Sequence, residues 1–176
     1  MLSDIKYMVI DIDGTMTDGG IYYDDTGNEI KKYNTKDAAA FFCFENVGIE
    51  PIVLTGRRCL ATERRMKDLK VKFLYQDVKD KALFLDEFMN EREISISEIG
   101  YIGDELNDFN AMQKCVFKSC PKDACKEIKE VADYISPFTG GCGAVRDIAE
   151  FVLEQRGEWN KAISAVYGIV VGDSNT

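Results

Sequence analysis

The sequence contains several short apolar segments that end in polar residues, and the first of them constrains the fold most. Tyr7–Ile12 is apolar except for Asp11, and it leads directly into Asp13, Gly14 and Thr15. A strand with little polar alternation is typical of a parallel sheet that helices cover on both faces. Carboxylates at the end of a buried strand cost free energy unless other groups pair with them. We therefore expect the rest of the chain to supply a partner.

Strand-like and helix-like segments alternate along the remaining chain. Gly20–Tyr33 reads as a hairpin around Asp-Thr-Gly-Asn, and Asn34 or Thr35 can cap the helix that follows. Further strands are predicted in three segments: 49–57, where the strand enters a turn, 71–76, and 98–108, where the strand ends in carboxylates. Weaker candidates lie at 116–120 and 132–136. The predicted helices are Lys36–Val47, Leu60–Leu69, Lys79–Glu91, Asn107–Cys115, Asp123–Val131, Arg146–Arg156 and Trp159–Val166.

This alternation predicts an α/β fold. We expect a doubly wound, Rossmann-like parallel sheet with an inserted β-hairpin and no separate cap domain. Residues 1–176 are expected to form one domain, with a mobile tail at 168–176.

Composition excludes several classes of function. The chain of 176 residues has a net charge of −9, so we expect no nucleic-acid binding. Its apolar runs are too short to cross a bilayer and its first residues lack a signal-peptide pattern, which predicts a cytoplasmic protein without membrane partners. The sequence has no histidine, which excludes Ser-His-Asp and Cys-His mechanisms. Six cysteines without a CxxC pair predict reduced thiols.

Polar residues follow four of the predicted parallel strands. In chain order they are Asp11 and Asp13, then Thr55, Gly56 and Arg57, then Lys81, and finally Asp104 with Asp108. Each group alone is compatible with a structural role in a turn or helix cap. Because the carboxyl ends of parallel strands meet at one edge of the sheet, we expect all of them to share a cleft. Four carboxylates there need a cation, and oxygen ligands with a phosphate partner favour Mg²⁺.

These motifs together resemble the four signature motifs of the haloacid dehalogenase superfamily of aspartate-nucleophile phosphatases, over about Tyr7–Val166. The resemblance implies that Asp11 is the nucleophile that forms an aspartyl-phosphate and that Asp13 is the general acid and base. The other implied roles are Mg²⁺ binding by Asp11, Asp104 and the main-chain carbonyl of Asp13, phosphate binding by Thr55, Gly56 and Lys81, and support by Asp108.

The hairpin, "TGRR", "YIGDELND" and "GGCGAVRD" are similar to the cap-less branch typified by 3-deoxy-D-manno-octulosonate 8-phosphate phosphatases. The resemblance implies a phosphorylated sugar-acid substrate, a role in lipopolysaccharide biosynthesis, and a homotetramer in which a neighbour's hairpin and tail close the site. The implied substrate contacts are Asn34, Thr35, Lys36, Asp37, Ala38, Arg57, Arg65 and Asn107. Arginines and short polar side chains suit the carboxylate and hydroxyls of a sugar acid.

Three positions bear on which sugar acid is bound. Cys142 and Phe42 stand where that branch usually has arginine. The Thr-Gly-Arg motif that contains Arg57, in contrast, resembles that of the octulosonate enzymes more than that of the nonulosonate enzymes. We expect octulosonate 8-phosphate as the substrate, with a nonulosonate (KDN or N-acylneuraminate) 9-phosphate as the enzymatic alternative. A non-catalytic oligomerisation module, related to the domain linked to cytidylyltransferases, is the alternative of another class. The retained motif residues argue against such a module, and a missing cap domain argues against a phosphomutase.

Overall fold

The fold is built on eight strands, and the structure, a computed structural model, describes residues 2–170. The strands are β1 (Tyr7–Ile10), β2 (Tyr22–Tyr23), β3 (Glu29–Ile30), β4 (Glu50–Leu54), β5 (Phe73–Tyr75), β6 (Ile99–Ile102), β7 (Phe117–Cys120) and β8 (Tyr134–Ile135). Six of them form a parallel sheet in the order β5-β4-β1-β6-β7-β8, and β2 and β3 pair as an antiparallel hairpin.

Seven α-helices cover the two faces of the sheet. They are α1 (Ala38–Asn46), α2 (Leu60–Asp68), α3 (Lys81–Arg92), α4 (Leu106–Met112), α5 (Lys126–Val131), α6 (Ala144–Gln155) and α7 (Trp159–Tyr167). Helices α1, α2, α6 and α7 contribute to one apolar cluster, which includes Phe41 and Val152. Helices α3, α4 and α5 contribute to a second cluster, which includes Leu85 and Met112. The predicted doubly wound α/β fold is confirmed.

Strand β1 lies at the centre of the sheet. Val9 is in register with Ile52 of β4 on one side and with Tyr101 of β6 on the other. Met8, Val9 and Ile10 are fully buried, as expected for a strand covered on both faces. Since all three strands run in the same direction, their carboxyl ends meet at one edge of the sheet.

The segment between β1 and β4 contains no inserted cap domain. It holds the hairpin, a 3₁₀ turn at Thr35–Asp37, helix α1 and short connections. The hairpin is short, with Tyr22 opposite Ile30 and Tyr23 opposite Glu29. Its turn is held by Asp24, whose Oδ1 accepts hydrogen bonds from the main-chain N–H groups of Thr26 and Asn28 at 2.9 and 2.8 Å.

Most predicted elements are present, but several boundaries differ. The helix predicted from Lys36 begins with the 3₁₀ turn, where the Asn34 side chain accepts from the Lys36 N–H, and α1 starts only at Ala38. Helix α5 starts at Lys126 instead of Asp123, since the preceding residues form a turn. Strand β4 ends at Leu54, and "TGR" forms the predicted turn after it.

Of the expected tail at 168–176, Gly168 ends α7 in the left-handed region, and residues 171–176 lie outside the described residues. All six cysteines are free thiols. Within residues 2–170, none of the helices combines the length and the apolar character required to span a bilayer.

Candidate active site

A cleft of about 390 Å³ opens at the carboxyl edge of the sheet, beside the end of β1. Its lining residues come from the loops that follow β1, β4, β5 and β6 and from the first turn of α4: Asp11, Asp13, Thr55, Gly56, Arg57, Val78, Lys79, Glu105 and Asn107. The main-chain N–H of Asp11 donates to the carbonyl of Ile102 at 3.0 Å, which continues the sheet one residue past the strand. The register of the strands therefore determines how far apart the loops of the cleft begin.

Lys81 is the first residue of α3 and is buried beneath this cleft. Its ammonium group donates to Oδ1 of Asp11 at 2.5 Å and to Oδ1 of Asp108 at 2.6 Å. The hydroxyl of Tyr101 donates to the same oxygen of Asp108 at 2.8 Å. A buried lysine between two buried carboxylates offsets the desolvation of all three groups only while the geometry is kept.

Asp108 also organises the loop after β6. Its Oδ2 accepts from the main-chain N–H of Asp104 at 3.1 Å and lies 3.4 Å from that of Glu105. The Asp104 carboxylate accepts a hydrogen bond from the Thr15 hydroxyl at 2.7 Å. Thr15 belongs to the turn after β1, so the first and last acidic motifs are joined directly.

The carboxylates of Asp11, Asp104 and Asp108 could share a metal ion, because one oxygen from each lies within 4.8 Å of the others. This donor set is made of oxygen atoms alone, which fits a hard divalent cation such as Mg²⁺. Asp11 and Asp104 belong to the predicted ligand set. The third carboxylate of the cluster is that of Asp108. The predicted ligand atom of Asp13 is its main-chain carbonyl, and its carboxylate contacts Lys31 instead.

Burial strongly affects the acidic groups of this cluster. Burial raises the pKa of Asp11 well above its usual range, the charge of Asp108 adds to this, and Lys81 opposes it. Burial also raises the pKa of Asp104 to about 7, and the hydrogen bond from Thr15 works in the opposite direction. These carboxylates therefore gain from a bound cation that would favour their ionised forms.

The carboxylate of Asp13 is held by the hairpin. Oδ1 of Asp13 accepts a hydrogen bond from the buried ammonium group of Lys31. Lys31 also forms an ion pair with Oε1 of Glu29 at 2.7 Å, and Oε2 of Glu29 accepts from Arg57 at 2.6 Å. Burial disfavours the charged form of Lys31, but the bonds to Asp13 and Glu29 outweigh it and raise its pKa above the usual range. A chain of alternating charges thus joins Asp13 to Arg57 through the hairpin.

The predicted substrate-contact residues fall into two groups. Arg57 and Asn107 line the cleft together with the catalytic candidates. The other predicted contacts lie around the start of α1: Asn34, Thr35, Lys36, Asp37, Ala38 and Arg65. Of these, Thr35 and Lys36 line a separate cavity of about 390 Å³ against α6 and α7.

Asp37 and Arg65 make contacts within the fold. Asp37 is fully buried, and its Oδ1 accepts from the main-chain N–H of Arg146 at 3.0 Å, near the start of α6. Arg65 donates to the carbonyl of Asn34 at 3.3 Å. The side chain of Asp37 therefore stabilises the junction of α1 and α6 and does not face the cleft of its own chain.

The two positions that lack arginine also lie away from this cleft. Phe42 is half-buried and packs against the first apolar cluster. Cys142 is exposed and lines a cavity of about 140 Å³ with Lys36 and Arg146.

Sequence reasoning missed several residues of the site: Glu29, Lys31, Val78, Lys79, Tyr101 and Glu105. Glu29 and Lys31 carry a signal, since alternate residues of a strand share a face. The residue between them, Ile30, is 52% exposed, so this strand turns Glu29 and Lys31 inward and its apolar side chain outward. This inverted pattern is typical of a strand that faces a polar site.

An aspartate pair after the central strand, a buried lysine and a second acidic pair on such a sheet define the class of haloacid dehalogenase-like hydrolases. A family model with that description matches residues 73–146. The chain is 30% identical to the 3-deoxy-D-manno-octulosonate 8-phosphate phosphatase KdsC of Escherichia coli K12 over 159 residues, which covers 90% of this chain and 85% of the relative. The corresponding protein of Yersinia pestis is 31% identical over 151 residues, or 86% of this chain and 81% of the relative.

Solved structures agree with this assignment. The Moraxella catarrhalis phosphatase, crystallised with magnesium ion, phosphate ion and a KDO molecule, superimposes with a TM-score of 0.89 at 31% identity, covering 93% of this chain and 94% of that one. The cobalt-bound phosphatase of Haemophilus influenzae superimposes with a TM-score of 0.85 at 28% identity, covering 90% of this chain and 93% of that one. The chain therefore belongs to the 3-deoxy-D-manno-octulosonate 8-phosphate phosphatase family of haloacid dehalogenase-like hydrolases.

Proposed function

We propose that this chain is a Mg²⁺-dependent phosphatase that hydrolyses 3-deoxy-D-manno-octulosonate 8-phosphate through an aspartyl-phosphate. The observation that carries the proposal is the buried Asp11–Lys81–Asp108 cluster, whose carboxylates lie beside Asp104 and one of which, Asp11, lines the cleft. The sequence likeness to phosphatases of this name supports the same substrate class. A non-catalytic module would have no need for such a cluster.

The first half of the reaction uses both aspartates of the first motif. A carboxylate oxygen of Asp11 attacks phosphorus and forms a P–O bond, while the bond from phosphorus to the ester oxygen breaks. Asp13 donates its proton to that leaving oxygen, so the sugar acid departs as a neutral hydroxyl. Thr55 and Gly56 line the same cleft and would donate hydrogen bonds to the phosphoryl oxygens.

The second half returns the residues to their starting states. Water attacks phosphorus, Asp13 takes a proton from that water, and the bond between phosphorus and Asp11 breaks to release inorganic phosphate. Lys81 holds Asp11 throughout by its hydrogen bond, and Asp108 fixes Lys81 from the other side. We propose that Asp11, Asp104 and the main-chain carbonyl of Asp13 hold Mg²⁺, which supplies positive charge against these carboxylates and the phosphoryl group.

The assignment of the sugar acid depends on Arg57. Arg57 lines the cleft and can pair with a ligand carboxylate, but Glu29 already accepts from it at 2.6 Å. A bound sugar acid would therefore compete with Glu29 for this guanidinium group. Because Glu29 competes for Arg57, this arginine does not by itself select the octulosonate ester, and a nonulosonate 9-phosphate is the second candidate substrate.

We further propose one domain over residues 1–176, a cytoplasmic location, and a homotetramer in which a neighbouring subunit closes the cleft. Four apolar side chains of the hairpin support an interface there, with about half or more of each exposed: Ile21, Tyr22, Tyr23 and Ile30. Thr35 and Lys36 lie outside the cleft of their own chain and are available to a neighbour's site. Sedimentation of the wild type and Tyr23→Ser tests this assembly, since we expect the variant to dissociate.

Phosphate release from eight-carbon and nine-carbon sugar-acid phosphates, with Mg²⁺ or with EDTA, tests the proposed function. We expect turnover of the eight-carbon ester with Mg²⁺ only, no turnover by Asp11→Asn, and normal turnover by the control Asp18→Asn. Asp18 lies outside the cleft, and its carboxylate faces Lys32. Preference for the nine-carbon ester would replace the substrate assignment, and activity of Asp11→Asn would refute the nucleophile.

A further inference from the structure

Lys31 is a buried cation whose two partners are both acidic and which does not itself line the cleft. Its side chain is 1% exposed, and its ammonium group contacts Oδ1 of Asp13 and Oε1 of Glu29. The next residue, Lys32, is 64% exposed in its side chain and lies 3.5 Å from Asp18. Two adjacent lysines of one hairpin therefore differ sharply, and only Lys31 reaches a residue of the proposed reaction.

The contact with Lys31 makes the two oxygens of Asp13 inequivalent. Oδ1 accepts from an ammonium group, whereas Oδ2 accepts no hydrogen bond from any residue between 2 and 170. A carboxyl group whose Oδ1 accepts from Lys31 carries its own proton on Oδ2. The same ammonium group stabilises the carboxylate that remains once this proton has left.

We propose that Lys31 is a positioning residue for the proton transfer by Asp13: it fixes the carboxyl group from the hairpin so that Oδ2 delivers the proton to the leaving oxygen. This inference rests on the proposed function, because it assigns Asp13 the acid step. Glu29 pairs with the same ammonium group of Lys31 and is itself held by Arg57. Lys31 thus links the hairpin to the proton transfer by Asp13.

The leaving group of the substrate separates this role from a merely structural one. An alkyl phosphate such as octulosonate 8-phosphate expels an alkoxide that needs a proton, whereas p-nitrophenyl phosphate expels a phenolate that leaves without one. The kcat/KM of each ester reports the steps up to departure of the leaving group and does not include the later hydrolysis of the aspartyl-phosphate. Loss of the hairpin fold would lower both values, whereas misplacement of Asp13 lowers mainly the first.

The experiment measures kcat/KM for both esters in the full chain with Mg²⁺, for the wild type, Lys31→Met, Lys31→Arg and the control Lys32→Met. We expect Lys31→Met to lower the alkyl value about 100-fold and the nitrophenyl value less than about tenfold, in line with the usual contribution of general acid catalysis. Lys31→Arg should recover part of the loss for the alkyl ester, and Lys32→Met should behave as the wild type.

Equal losses on both esters in Lys31→Met, with an unchanged circular dichroism spectrum, would overturn the inference and leave the proposed function intact. Activity of the wild type on neither ester would overturn the proposed function itself, so the two failures are distinguishable. If Lys31→Met does not fold, Glu29→Gln provides a second measurement, since it removes the negative charge that pairs with Lys31. Its ratio of the two values should shift in the same direction, and an unchanged ratio would contradict the inference.

Discussion

Gly14 lies so close to Asp104 that a Cβ atom on Gly14 would overlap Oδ2 of that carboxylate. Gly14 also adopts a φ of +91°, which side-chain-bearing residues rarely adopt. The turn after β1 thus brings bare main chain against the acidic loop after β6. The space between Asp11 and Asp104 depends on this contact.

We expect Gly14→Ala to weaken Mg²⁺ binding and to abolish most phosphatase activity, because the new methyl group displaces Asp104. The matched control is Gly27→Ala, whose φ is +86° and whose Cβ meets nothing within 4 Å. Alanine in this backbone conformation costs about 1 kcal/mol in both variants, so the difference in their Mg²⁺ affinities reports the overlap of the new methyl group with Asp104. Isothermal titration calorimetry measures the Mg²⁺ affinity of each variant, and equal affinities would contradict this explanation.

We expect Lys81→Met to reduce the free energy of unfolding by about 3–5 kcal/mol at neutral pH without metal, because it leaves Asp11 and Asp108 buried without their cation. Urea denaturation measures the loss. Lys67→Met, at an exposed position of α2, serves as the control and should change little. The loss should shrink at acidic pH, where Asp11, whose pKa burial raises, becomes neutral. A loss independent of pH would argue against the buried ion pair of Asp11 with Lys81.

Tyr101→Phe removes one hydroxyl from a fully buried ring and with it the 2.8 Å hydrogen bond to Asp108. We expect a cost of about 1–3 kcal/mol in the free energy of unfolding, since Asp108 loses a buried donor. Tyr134→Phe is the comparison, because its hydroxyl donates to Asp147 at 2.9 Å from a half-buried site and should matter less. Similar losses in both variants would show that burial does not strengthen the Tyr101 bond.

Asp37 should make stability depend on pH. Burial raises its pKa from 3.8 to about 6, although the nearby guanidinium groups and the Arg146 N–H oppose this shift. The folded state therefore binds the proton more tightly than the unfolded state, and this contribution is lost as pH rises from about 4 to about 6. Relative to Asp37→Asn, the wild type should lose up to about 3 kcal/mol across that window.

Urea denaturation of both proteins at pH 4 to 7 measures this difference. Asp37→Asn keeps an acceptor for the Arg146 N–H, so the charge is the main change. Because Asp104 titrates in the same way in both proteins, its contribution cancels. A constant difference across the whole range would mean that Asp37 has an ordinary pKa in the folded state.

The parallel sheet and the residues at its edge could be predicted because they depend on local patterns. The apolar run of β1 is readable without knowledge of its neighbours, and the polar residues after Ile10, Leu54, Tyr75 and Ile102 follow from where each strand ends. Strand direction then forces these residues to one edge. For this reason Asp11, Thr55 and Lys81 could be grouped from the sequence alone.

Contacts between distant residues could not be predicted in the same way. Asp37 reads as a polar residue near a helix start, and only its bond to Arg146, 109 positions later, removes it from the surface. Lys31 is one of two adjacent lysines. Strand alternation places it on the same face as Glu29, but only the structure shows that this face turns towards Asp13. In both cases three-dimensional packing, and not residue type, decides the role.

The central position of β1 has a consequence for how the molecule opens. Short edge strands such as β8 can detach at low free-energy cost, whereas β1 is bonded on both sides and can exchange its amide hydrogens only when most of the sheet separates. Asp11 is attached to the end of that strand. We expect hydrogen exchange to be slowest in β1 and its two neighbours, so that the reacting groups rest on the last part of the protein to unfold.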